Sequence, residues 1–152
     1  GAAPGKLPAL AEILEAAARE AGLADPGQRA EALRLCELLL ERLRRHPLWQ
    51  EINQSSQRYH EVPYAQMVAN RRLDSGYIDL LYKSPEGDLP AWQIVDFKSD
   101  SLRSEVERQA AVDQYRPQML RYAQAGRELL HEPVRVRLCF LDDDGKISLQ
   151  EM

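Results

Sequence analysis

The sequence predicts an α/β (α+β) domain in which a mixed β-sheet is flanked by helices and preceded by a helical pair. Three observations carry the prediction. Apolar, strand-like runs at 57–68, Ser75–Lys83 and Ala91–Lys98 follow one another closely enough to form an antiparallel meander. A helical stretch from Ser104 to about His131 then leads into a clearly alternating run, Val134–Leu141, and such a crossover adds a further strand to the sheet. Residues 7–46 instead carry the apolar spacing of helices.

Taken in order, the first helix is expected over Leu7–Ala21, with Leu10, Ile13, Leu14, Ala17 and Ala21 on one side and Gly22 at its end. The second opens at Asp25-Pro26, an N-cap followed by proline at the first helical position, with Gln28 where a capping-box partner belongs. Its stripe of Leu33, Cys36, Leu40 and Leu43, widened by Leu35 and Leu39, is broad enough to be buried, and His46-Pro47 stops it. Pro85-Glu86-Gly87-Asp88 turns the second strand into the third. In the long helical stretch Pro117 predicts two helices, or one kinked near Tyr115. Asp143-Asp144-Gly145 is a turn and Ile147–Gln150 a short edge strand. The whole reads as one domain, residues 1–50 being its N-terminal helical segment and 51–152 its core.

Composition narrows the class. An apolar fraction of 44% with 29% charged residues is that of a globular protein, and no run is long enough for a membrane span. A formal charge of −4 argues against a general nucleic-acid-binding module with a broad basic field. It leaves DNA open as a substrate, because a local groove or a partner can supply positive potential. Sixteen arginines against four lysines, with many alanines, hint at a GC-rich bacterial source. No signal peptide is visible, and the expected location is the bacterial cytoplasm. Cys36 and Cys139 both lie on apolar faces and are expected to be buried, reduced thiols.

The chemistry is concentrated between residues 76 and 98. Asp79 stands on one strand of the predicted hairpin, Asp96 and Lys98 on the next. Strand side chains alternate with period two, so Ile94, Asp96 and Lys98 share a face, as do Tyr77, Asp79 and Leu81. One hairpin orientation then brings Asp79, Asp96 and Lys98 together. Asp96-x-Lys98 alone is a pattern any solvated strand carries. Both acids, however, are set among large apolar residues, where an unpartnered charge is costly. Two carboxylates held close repel unless a cation sits between them, and a hard divalent ion with oxygen ligands resolves that.

Five ordered motifs between Ser56 and Asp142 resemble the RecB-like PD-(D/E)XK nuclease domain found at the C-terminal end of AddA/RecB/UvrD-like helicases. They are Glu61-Val62-Pro63-Tyr64, Gly76-Tyr77-Ile78-Asp79, Val95-Asp96-Phe97-Lys98-Ser99-Asp100, the helix segment from Tyr115 through Gln118 to Tyr122, and Leu138-Cys139-Phe140-Leu141. The resemblance implies a restriction-endonuclease-like sheet and an exonuclease-type deoxyribonuclease activity. It implies Mg²⁺ or Mn²⁺ held by Asp79, Asp96 and the carbonyl of Phe97, with Lys98 as the catalytic lysine. Glu61 would belong to the site, and Gln118 and Tyr122 would face it to steady the lysine or the DNA backbone. As partners it implies DNA, single strands delivered by a helicase portion, and the parent helicase chain or an AddB/RecC-like subunit, in recombination and double-strand-break repair. His60, on the strand face opposite Glu61, reads as a surface residue, and His46 as a helix-cap residue.

One family feature is missing. The early helix normally carries a histidine in a G-T-x-x-H element as a further metal ligand, and this sequence has none. The two N-terminal helices resemble the segment that follows that histidine in AddA-like proteins. Its helix is therefore expected upstream of residue 1, Glu12 or Glu15 being less apt substitutes. The competing expectation is a catalytically degenerate nuclease fold, serving as a scaffold or DNA-guiding surface in a helicase.

Overall fold

The computed structural model describes residues 17, 19–85, 87 and 90–152. The chain divides into two compact units, Gly1–Glu41 and Arg42–Met152, with the boundary inside the first described helix. Most of the helix expected over Leu7–Ala21, together with Glu12 and Glu15, lies outside the described residues. Its end is visible: Gly22 takes φ +79°, and its N–H donates to the Arg19 carbonyl at 3.0 Å. That left-handed conformation is the one a glycine supplies past a helix terminus.

Helix α1 spans Pro26–Arg45. It starts as Asp25-Pro26 predicts, the Asp25 carboxylate accepting the Gln28 N–H at 2.8 Å. Its stripe is less covered than expected. Leu39 and Leu43 are buried, but Leu35, Leu38 and Cys36 are exposed, so the expectation of a buried Cys36 does not hold. Helical spacing identifies the face that a helix offers, not whether another element covers it. The chain then turns at His46 and forms a further short helix, α2 (Pro47–Gln54), which the proline rule hides because Pro47 starts a helix as readily as it stops one. His46 is its N-cap, with Nδ1 accepting the Leu48 N–H at 3.2 Å.

The sheet has five strands in the order β1-β2-β3-β4-β5: β1 (Arg58–Val68), β2 (Arg72–Lys83), β3 (Trp92–Leu102), β4 (Val134–Asp143) and β5 (Lys146–Glu151). The first three pair antiparallel, β3 and β4 parallel, and β4 and β5 antiparallel. The mixed sheet thus follows from the meander and the crossover. Of the turn between β2 and β3, Glu86 and Asp88 lie outside the described residues.

The crossover is one helix, α3 (Glu105–Leu130), and it runs through Pro117 without dividing. Ser104 caps it by accepting the Glu107 N–H, and His131 closes it in the left-handed region at φ 54°. Proline costs a helix interior about 3 kcal/mol. Here the apolar face continues on both sides of it, with Ala111 and Val112 buried before Pro117 and Met119, Tyr122 and Ala125 buried after. Burial worth about 1.5–3 kcal/mol for each large side chain outweighs that cost.

The sheet separates two cores. On the α3 side Ile78, Leu81, Ile94, Val136, Leu138 and Phe140 pack against the helix. On the other side Leu80, Tyr82, Val95 and Cys139 pack with Leu43, Leu48 and Ile52.

Candidate active site

Strict alternation fails where the site lies. In β2 both Ile78 and Leu81 belong to the α3-side core while Leu80 faces the other. Tyr77 is 65% exposed and does not share a face with Leu81, contrary to the period-two expectation. The strand slips by one residue at Asp79. β1 slips opposite it: His60 pairs with Leu80 and Val62 with Ile78, placing Glu61 across from Asp79 with φ +51°. A left-handed residue in a strand kinks the ladder. From this point β2 and β3 part, their register ending at Leu80↔Val95.

The parting frees main-chain donors, and Asp79 takes one. Its Oδ2 accepts the Phe97 N–H at 3.1 Å, a bond made by a side chain where a ladder partner is missing. Asp79 is thereby fixed against the strand that carries the other acid. Asp96 and Lys98 share the α3-side face, as their spacing requires. Asp96 is 2% exposed, and the Lys98 ammonium stands 2.8 Å from its Oδ2. That contact is an ion pair without hydrogen-bond alignment, so Oδ2 lacks a hydrogen-bond partner among the described residues. Burial, and secondarily the Asp79 charge against the opposing Lys98, raises the Asp96 carboxyl to about 6.

Helix α3 closes the site from above. Lys98 Nζ donates to Gln118 Oε1 at 3.0 Å, and Gln118 Nε2 donates to the Tyr122 hydroxyl at 2.9 Å. Gln118 and Tyr122, four apart, lie on one helical face. Burial and the nearby Asp96 and Asp79 carboxylates push the Tyr122 phenol up to about 12, so it remains a neutral hydroxyl. Tyr122 in turn packs edge-on against Tyr64, with ring centroids 5.7 Å apart. Tyr64 lies across Gly76, its pairing partner, where any Cβ would come within 3.0 Å of the phenol oxygen. The aromatic of the first motif, the glycine of the second and the tyrosine of the fourth are thus one packing unit.

Asp79, Asp96, Lys98, Gln118 and Tyr122 therefore converge. Phe97 lends its main chain to the site, while its half-buried side chain packs on the opposite core. Glu61 is the exception: it is exposed, opposite Asp79 by register, and makes no hydrogen bond or ion pair with the described residues. Two residues escaped the sequence reading as contributors. Tyr115 presents its ring to Lys98, with Nζ 4.2 Å from the centroid, and its hydroxyl donates to Asp100 Oδ2 and Oδ1 at 2.9 and 3.1 Å. Both lie inside the recognised motifs, which was the available signal. Their contact, between β3 and α3, is tertiary.

The donor set suits a hard divalent cation. It consists of oxygen ligands, two carboxylates share one partly buried place, and one Asp96 oxygen lacks an aligned donor. No group of three His, Cys, Asp or Glu is assembled among the described residues, so main-chain oxygen and water would complete the coordination.

A mixed sheet whose parting strands present two acids and a lysine beneath a Gln–Tyr helix defines a restriction-endonuclease-like α+β domain. The sequence matches the model of the PD-(D/E)XK nuclease superfamily over residues 1–151, and the chain belongs to that superfamily. No individually curated protein matches it. No described helix is long and apolar enough to cross a membrane.

Proposed function

We propose that this domain hydrolyses phosphodiester bonds of DNA with Mg²⁺ or Mn²⁺ held by Asp79, Asp96 and the carbonyl of Phe97. The observation that carries the proposal is the meeting of both acids and Lys98 where β2 leaves β3. A bound divalent ion would act as a Lewis acid toward the phosphate and lower the pKa of its water. The chain's own residues do the rest. Lys98 orients the attacking water and neutralises charge that develops on the phosphate oxygens. Gln118, itself held by Tyr122, fixes the ammonium. Glu61, opposite Asp79 by strand register, would bring a further carboxylate to the rim. Contacts to the DNA would be to its backbone, which positions the strand without reading sequence.

The finer reading is an exonuclease-type module of an ATP-dependent helicase-nuclease acting in bacterial DNA recombination and double-strand-break repair. A net charge of −4 favours a strand delivered by a helicase portion or an AddB/RecC-like subunit over capture by a basic surface. Lys98→Ala is expected to abolish cleavage of single-stranded DNA while thermal denaturation shows an unchanged fold. Undiminished cleavage would remove the lysine from the mechanism.

The lack of a third protein ligand among the described residues favours a second reading, a nuclease fold without catalysis. Calorimetric titration with Mn²⁺ separates the two. Binding by this chain, or by a version extended upstream, supports the nuclease. Binding by neither supports the scaffold.

A further inference from the structure

We propose that Tyr115 and Asp100 are positioning residues that hold the Lys98 ammonium for its part in the reaction. The inference rests on the reading of Lys98 as a catalytic group. A lysine ends in a compact charge on a flexible four-carbon stem, and its direction must be imposed from outside. Lys98 has three contacts that could impose it. Asp96, the nearest at 2.8 Å, attracts it toward the carboxylate that a cation would share. Gln118 accepts from it at 3.0 Å on the helix side. Tyr115 meets it with the face of its ring at 4.2 Å from the centroid. A ring face attracts an ammonium without withdrawing its protons into a hydrogen bond. It therefore holds the charge in place and leaves its donors available.

The ring itself is held. Both oxygens of Asp100 accept the Tyr115 hydroxyl, which fixes the ring plane and makes it answer to β3 as well as to α3. A phenol donating to a carboxylate is a charge-assisted bond, and it enriches the ring in electron density. Asp100 stands two residues beyond Lys98 on the same strand. It thus reaches over its neighbour's side chain to the helix, and the helix returns a ring face to that neighbour. Burial first, then the Asp100 bond, raises the Tyr115 phenol above its ordinary value, in keeping with a hydroxyl retained as donor.

Proton–carbon NMR of the full chain tests this, since it has four lysines and Lys98→Ala identifies the signal. The Lys98 ε-methylene protons are expected upfield of those of the other three, displaced by the Tyr115 ring current. Tyr115→Leu should return them to the ordinary lysine position, Tyr115→Phe should keep most of the displacement, and Asp100→Asn should reduce it. Unaltered Lys98 signals in folded Tyr115→Leu would overturn the proposal. Should that variant fail to fold, unaltered signals in Asp100→Asn would overturn it instead. In cleavage assays Tyr115→Leu should lower kcat about tenfold with KM little changed, and Tyr115→Phe should recover most of it. Equal damage by Leu and Phe would overturn the ring's role. If the signals behave as expected but no divalent metal supports cleavage by the wild-type chain or by a version extended upstream, the positioning holds and the nuclease reading fails.

Discussion

A single buried carboxyl, Asp96, dominates the electrostatics of the site. Burial raises it to about 6, above the ordinary carboxylate range that it has in the unfolded chain. The folded state therefore holds its proton more tightly, and the Asp96 contribution is largest below the ordinary range. It is lost as pH rises from that range through about 6. In metal-free protein the stability difference between wild type and Asp96→Asn, followed by urea unfolding, should therefore move against the wild type between pH 4 and pH 7. A cation competes with the same proton, so Mn²⁺ affinity should climb across this interval and level off above it. Asp96 and Lys98 were legible from their spacing along one strand, and Asp79 from its place on the neighbouring strand, although the slip there was not. Gln118 and Tyr122 were legible through the family resemblance, their interval of four showing only that they share a helix face. The burial that raises Asp96 was only hinted at by its apolar neighbours, and the Lys98–Tyr115–Asp100 contact was not legible, because it depends on how α3 lies over β3.

At the level of elements, all five strands lie where the sequence placed them, but period-two alternation misplaced Tyr77. A kink shared by Glu61 and Asp79 shifts both strands by one, and alternation has no means of registering it. The proline rules were half sufficient: α1 stops before Pro47 as read, but Pro47 also begins α2, and of the two outcomes open at Pro117 the chain forms one helix, carried through by burial on both sides. Gly76 shows the converse, a motif residue whose reason appears only in the packing. Gly76→Val would drive a branched side chain into the Tyr64 ring. The expected loss is about 1–3 kcal/mol of stability by denaturant unfolding, with cleavage falling further than stability because Tyr64 backs Tyr122.

Across the Arg42–Met152 unit, Asp142 joins separate elements. Arg42, Arg103, Ser101 and the Gly145 N–H all donate to its carboxylate, at 2.6 to 3.2 Å. It sits near the end of β4 and ties Arg42, β3 and the turn before β5 together. Its partners, Arg103 first, hold its carboxyl well below the usual range, so its stabilisation is present above that range and disappears as pH falls through the lowered value. This is the reverse of Asp96. Asp142→Asn should cost about 1–3 kcal/mol at neutral pH, and the difference should shrink in acid. The two cysteines report on the molecule as a whole. Exposed Cys36 should react with a thiol reagent at once. Cys139 is buried in the central parallel pair and pushed up to about 12 by burial, so it should react only at the rate of unfolding.

The parting of β2 from β3 also makes the site a seam. Below Leu80↔Val95 the strands are laced by main-chain bonds; above it, β1 and β2 form a two-stranded arm held to the rest through its α3 face and the Asp79–Phe97 bond. A cation shared by Asp79 and Asp96 would therefore act as a clasp as well as a reagent, restoring across the gap the tie that the backbone gives up. Amides of the arm should exchange with solvent faster than those of residues 80–83 in metal-free protein, and Mn²⁺ should slow them selectively.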